Sequence, residues 1–150
     1  MKPAAKEVSP RNVLAEVAAI IPPEVHPNIV VIGSLAAGYW LFQRDKSFGV
    51  RTKDVDCVLL PHFSAVEKGR AVAETLLGAG WQPRNEGDFG VAGNAGTPDG
   101  RLPAVRLYPP GGGEWFIELL TEPASVAELT ITGQRLLTFA VEPLQEIGKA

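Results

Sequence analysis

Residues 28–40, NIVVIGSLAAGYW, change character at one point. Asn28 to Ile32 is a short β-branched run that favours extended backbone, whereas LAAGYWLFQ, from Leu35 to Gln43, is apolar and of helical length. Gly33-Ser34 lies between them, so the stretch reads strand, tight turn, helix. Backbone amides at the start of such a helix point outward and favour an anion. Gly33 permits close backbone approach there, and the Ser34 hydroxyl either donates to a phosphate oxygen or caps the helix. A second strand follows at Val55 to Leu60, with Asp54 and Asp56 on one side of its start. Acids at i and i+2 of a strand share a face, roughly 6 to 7 Å apart along the chain, and their carboxylates can converge on one cation.

Outward from this pair of strands, Ser9 and Pro10 form a cap and first-turn pair for a helix through about Ile21, stopped by Pro22-Pro23. The polar segment Arg44 to Lys53 precedes the acidic strand. Ser64 to Leu77 has apolar residues at helical spacing and a capping signature in Ser64 and Glu67, and the helix closes at Gly78. Trp81 and its neighbours are placed to pair with a sheet edge. Arg84 to Gly100 is rich in Gly, Asn and Asp and reads mostly as turn and mobile loop. Ala104 to Tyr108 and Trp115 to Thr121 flank a PPGGG connector and read as a hairpin of two antiparallel strands. Leu136 to Val141 reads as one more strand, and Pro143 to Ala150 as the opening of a helix. Strands interleaved with helices early and paired by a hairpin late predict an α/β or α+β fold, a mixed β-sheet with flanking helices. Residues 1–150 are expected to form a single domain, the N-terminal part of a longer protein.

A length of 150 residues with 45% apolar and 21% charged content suits one buried core. The net charge of -3 provides no global basic field for long nucleic acid. One cysteine, Cys57, cannot form an internal disulfide, and no apolar stretch approaches the roughly 18 residues of a membrane-spanning helix. These features predict a cytoplasmic protein with no membrane role.

Phosphoryl chemistry on paired carboxylates normally needs a third acid. Glu118, set between Ile117 and Leu119 on a predicted strand, is the better candidate, because an acid in an apolar strand is costly without a cationic partner. Glu122 is the alternative. In order, Ile32-Gly33-Ser34, then Thr52-Lys53-Asp54-Val55-Asp56-Cys57, then Ile117-Glu118-Leu119 resembles the nucleotidyltransferase superfamily with its DNA polymerase beta-like palm. Within it, Arg51 to Asp56 most resembles abortive-infection toxins and the bacterial proteins related to them. The resemblance implies that Asp54, Asp56 and Glu118 bind two Mg²⁺ (or Mn²⁺) ions and that Gly33 and Ser34 contact a nucleoside triphosphate. It implies an enzyme transferring a nucleoside monophosphate, from ATP or another NTP, to a hydroxyl or phosphate acceptor on RNA, a protein or a small molecule. The stretch between Gly33-Ser34 and Asp54 is longer than in compact members. Lys149 resembles a lysine of toxin-like members. A catalytically inactive nucleotide-binding or interaction module, one part of a larger protein or of a toxin-antitoxin pair, is the alternative.

Arg51 and Lys53 are placed either to steer phosphates or to be solvated. Cys57 reads as a small core residue, with no His nearby in sequence to activate it. His26 and His62, beside prolines, read as surface residues and make no zinc site. Trp40, Trp81 and Trp115 read as packing residues. Gly111 to Gly113 lacks the strand-to-helix context and the Gly-Lys-Ser/Thr ending of a P-loop.

Overall fold

A computed structural model describes residues 7–41, 54–61, 64–83, 92–111, 115–121 and 128–140. The first helix, α1, is Pro10–Ile20. The Ser9 side chain accepts from the Asn12 amide and Pro10 supplies the first turn, as the sequence predicts. Ile21 leaves the helix in extended conformation, the geometry that a following proline imposes. A 3-10 turn at Pro23–Asn28 leads into β1, Ile29–Ile32, and α2, Gly33–Leu41, begins with no intervening loop. The acidic strand is β2, Asp54–Leu59, and α3 is Ala65–Gly78. The remaining strands are β3 (Gln82–Pro83), β4 (Arg106–Tyr108), β5 (Phe116–Thr121), β6 (Glu128–Ile131), β7 (Gln134–Leu137) and β8 (Phe139–Ala140).

The fold is α+β, with a mixed six-stranded sheet. Its order is β1-β2-β5-β4-β3, and β8 adds to β5 alongside that path. β2 and β5 are parallel, whereas β1 on β2, β4 on β5 and β3 on β4 are antiparallel. Alternation sorts the two central strands by face. Val55, Cys57 and Leu59 of β2 and Ile117 and Leu119 of β5 are fully buried against Val13 and Val17 of α1, Leu35 of α2 and Val72, Ala73 and Leu76 of α3. Asp54, Asp56 and Glu118 occupy the alternate positions and therefore project from the opposite face. Trp81 and Trp115 meet edge to face in the core, with ring centroids 5.5 Å apart. Among the described residues no helix is long and apolar enough to cross a membrane.

Three expectations need correction. The Ser64–Glu67 capping signature is not realised: Ser64 Oγ donates to the Pro61 carbonyl at 3.2 Å and makes no cap bond to its helix. Leu136 to Val141 is not one strand. A hairpin of β6 and β7 ends at Leu137, and β8 begins after buried Thr138, in a different sheet. Trp40 is 73% exposed rather than packed. Where it is described, the Gly-rich stretch is turn and bend, as the sequence predicts, and it is tethered: Gly93 exchanges two backbone hydrogen bonds with Arg135, whose guanidinium also reaches the Thr97 carbonyl. Residues 84–91 of that stretch, the segment Arg44 to Lys53 and the expected helix Pro143 to Ala150 lie outside the described residues.

Candidate functional site

Cross-strand register assembles the site in a single row. Ile32 of β1 lies opposite Asp56 of β2, Asp56 opposite Glu118 of β5, and Glu118 opposite Arg106 of β4. Asp54, two residues before Asp56, stands on the same face and pairs in register with Phe116. Each of Asp54, Asp56 and Glu118 offers a carboxylate oxygen, and these atoms all lie within 4.8 Å of one another. The two aspartates are half-buried and Glu118 is buried. Three hard oxygen donors at this separation suit Mg²⁺ or Mn²⁺ rather than a thiolate- or imidazole-seeking metal.

Such crowding carries an electrostatic cost, and Asp56 registers it. Partial burial, then the neighbouring charges of Asp54 and Glu118, raise its pKa from 3.8 to about 6, against an opposing pull from Arg106. Arg106 Nε donates to Glu118 Oε2 at 2.7 Å, with both side chains little exposed, and its guanidinium lies 5.8 Å from the centre of the Phe116 ring. The sequence reading missed Arg106. The only signal for it was indirect: an acid inside an apolar strand calls for a cation, and the adjacent strand carries Arg106 between Val105 and Leu107.

Gly33-Ser34 joins this row from the β1 side. Gly33 has φ +81°, a conformation that side-chain-bearing residues rarely adopt, and a Cβ built on it would sit 2.8 Å from Asp56 Oδ2. The turn therefore needs glycine twice, once for its backbone and once for its contact with the carboxylate. It also sets the amide end of α2 beside the acidic cluster, where that end favours negative charge. Ser34 is exposed at the same turn.

Structure thus brings together five of the predicted residues: Gly33, Ser34, Asp54, Asp56 and Glu118. Arg51 and Lys53, and likewise Glu122, His62 and Lys149, lie outside the described residues. Cys57 faces the core, and burial pushes its thiol up to about 12, so it has no nucleophilic character near neutral pH. His26 is exposed, with Nε2 3.0 Å from the Ile21 carbonyl oxygen. A separate concavity of about 750 Å³ lies between α1, β1 and α2, with an apolar lining that includes Leu14, Val30, Val31 and Trp40 and none of the three carboxylates. Protein-family models, curated proteins and solved structures contain no match to this chain.

Proposed function

We propose that the chain is a metal-dependent nucleotidyltransferase with a palm-like sheet, which transfers a nucleoside monophosphate from a nucleoside triphosphate to a hydroxyl or phosphate acceptor. The observation that carries this reading is the contact between Gly33 and Asp56. It juxtaposes two opposite chemistries, an anion-favouring helix start and a cation-favouring carboxylate cluster, and a metal-bound triphosphate requires both side by side. Asp54, Asp56 and Glu118 would hold Mg²⁺ or Mn²⁺. When bound, the metal would neutralise charge on the phosphates and lower the cost of activating the acceptor oxygen.

The chain's own groups do the rest. The amides at Gly33 and Ser34, with the Ser34 hydroxyl, bind phosphate oxygens and fix the triphosphate relative to the carboxylates. A new bond forms between the acceptor oxygen and the α-phosphorus, the bond from that phosphorus to pyrophosphate breaks, and a hydroxyl acceptor's proton passes to a carboxylate of the cluster. Calorimetric titration with ATP and the other NTPs, with and without Mg²⁺, tests this on the native chain, Asp54→Asn and Asp56→Asn. Metal-dependent binding that falls by about 100-fold or more in both variants is expected. Binding that ignores the metal, or survives both substitutions, would rule the mechanism out.

A second reading, a catalytically inactive interaction module, draws support from a different place. Trp40 and Leu41 are 73% and 75% exposed at the end of α2, beside the apolar concavity. Under that reading Trp40→Asp abolishes partner or self-association, which light scattering can follow, while Asp56→Asn leaves it unchanged.

A further inference from the structure

We propose that the chain forms a symmetric dimer in which the outer edge of β1 pairs with the same edge of a second copy. The dimer is independent of the carboxylate chemistry and holds under either functional reading.

β1 ends the order β1-β2-β5-β4-β3, and among the described residues no strand pairs with its outer side. The Leu60 amide donates to the Asn28 carbonyl at 2.7 Å, which fixes the direction of the backbone groups along the strand that follows. In a regular antiparallel pair alternate residues turn both backbone groups toward the partner, so Val30 and Ile32 face β2 while Ile29 and Val31 face outward. The Ile29 amide is taken by the His26 carbonyl. The Ile29 carbonyl and both backbone groups of Val31 point to where a further strand would lie.

The two ends of the sheet are finished differently. β3 is two residues long and contains Pro83, and shortness and proline both keep an edge from recruiting a strand. β1 is Ile-Val-Val-Ile, with neither charge nor proline, an edge that natural monomers seldom leave open. Apolar side chains gather beside it. Val30, Trp40 and Leu41 are 46%, 73% and 75% exposed, and Val30 and Trp40 line the concavity between α1, β1 and α2. No carboxylate lines that concavity and Arg11 is its one permanent charge, so the surface offers strand pairing and apolar contact rather than charge recognition.

A second copy supplies both. A twofold axis perpendicular to the sheet sets β1 antiparallel to itself, with outward backbone groups facing outward backbone groups and the same apolar side chains arriving from each copy. Trp40 alone brings roughly 100–200 Å² of exposed surface from each copy, and Val30, Leu41, the strand edges and the walls of the concavity carry the total toward the ~1,000 Å² of a specific interface. Pairing uses up the edge, so assembly stops at two.

Sedimentation velocity and light scattering on the full chain, from micromolar to millimolar concentration, test this. Twice the chain mass is expected, with hydrogen exchange at the Val31 amide slowing as the dimer fills. Val31→Pro removes the outward amide without touching the ladder to β2, in which Val31 takes no part. Val30→Lys sets like charges across the new pair. Each should weaken the dimer by about 100-fold or more, with the circular dichroism spectrum unchanged. If Val31→Pro does not fold, Val30→Lys decides, at a position where the native side chain is already half in solvent. A native chain that stays monomeric at the highest concentration overturns the proposal and leaves the edge to a strand from another protein. A dimer that either folded variant retains, or growth beyond two copies, overturns it as well.

Discussion

Two arginines grip carboxylates across adjacent strands, and the acids around them respond in opposite ways. Arg135 of β7 holds Glu128 of β6 through two bonds, from Nε at 2.8 Å and Nη2 at 2.7 Å, and also reaches Asp99 at 2.5 Å. Glu128 responds as a paired surface acid does, its pKa lowered chiefly by the bond from Arg135. Arg106 of β4 holds Glu118 of β5 at a similar distance, yet Asp56 beside that pair is pushed up to about 6. The difference is what lies next to the ion pair. Around Arg135 the carboxylates face water, with Asp99 and Glu128 side chains 83% and 42% exposed. Around Glu118 two further acids crowd a partly buried face, and the opposing pull of Arg106 does not cancel the rise at Asp56. The first cluster ties a loop to a hairpin; the second sets three carboxylates within reach of one cation.

Removing each arginine in turn separates the two clusters. Arg106→Ala leaves Glu118 buried without its charge partner, and truncating one side of a buried pair typically costs about 3–5 kcal/mol. Urea denaturation should show a loss of that order. Arg135→Ala should cost much less, because solvent takes over exposed carboxylates. Its visible effect is local: amide exchange should rise around Thr97, whose carbonyl the Arg135 guanidinium holds, while the backbone bonds between Gly93 and residue 135 remain. Equal losses from the two substitutions would mean that burial does not separate the clusters.

Two glycines sharpen the contrast at smaller cost. Gly33 and Gly133 both have positive φ, +81° and +77°, so alanine at either strains the backbone by about 1–3 kcal/mol. Beyond that they differ. A Cβ at Gly133 meets nothing within 4 Å, whereas at Gly33 it meets Asp56 Oδ2 at 2.8 Å. Gly133→Ala should therefore lower the melting temperature and leave Mn²⁺ affinity alone. Gly33→Ala should lower both, because Asp56 has to move. Unchanged Mn²⁺ affinity in Gly33→Ala would separate the turn from the carboxylate site.

These same residues show where the sequence was readable. The strand-turn-helix at Asn28 to Leu41 and the acidic strand could be read because β-branched runs, a Gly-Ser junction and i, i+2 acids are local patterns, set by backbone sterics and strand period. Glu118 could be placed because an acid in an apolar strand is anomalous. Arg106 could not, since its partner is fixed by the register of β4 on β5, and register is a tertiary property that no local pattern encodes. The β6–β7 hairpin was hidden for a different reason. Its turn is Thr132-Gly133 with both residues at positive φ, and such turns favour Asn or Asp at the position where this chain has a β-branched threonine. The Ser64 signature misled because its hydroxyl found a closer acceptor in the Pro61 carbonyl.

The smallest expected effect, the pH dependence of stability without metal, bears most directly on the opposing responses of the two clusters. An ordinary aspartate held below its usual pKa stabilises a fold above that value and loses the contribution as pH falls. Asp56 is the reverse. Its folded-state pKa is raised from 3.8 to about 6, so between these values the folded chain binds more protons than the unfolded one. Stability therefore falls as pH rises through that window, and the penalty persists above it as the cost of holding a partly buried charge at Asp56, with repulsion from Asp54 and Glu118 added. Asp56 is partly exposed, so solvent screening keeps the slope shallow. Melting temperatures from pH 4 to 8 in chelator should decline for the native chain between about pH 4 and 6, beyond any decline in Asp56→Asn. Saturating Mn²⁺ should reverse the trend, because an ion in the cluster favours the deprotonated acids and competes with their protons. A native profile in chelator that coincides with that of Asp56→Asn would show the three carboxylates to be as well balanced as the Arg135 cluster, and the case for a bound cation would lose its electrostatic ground.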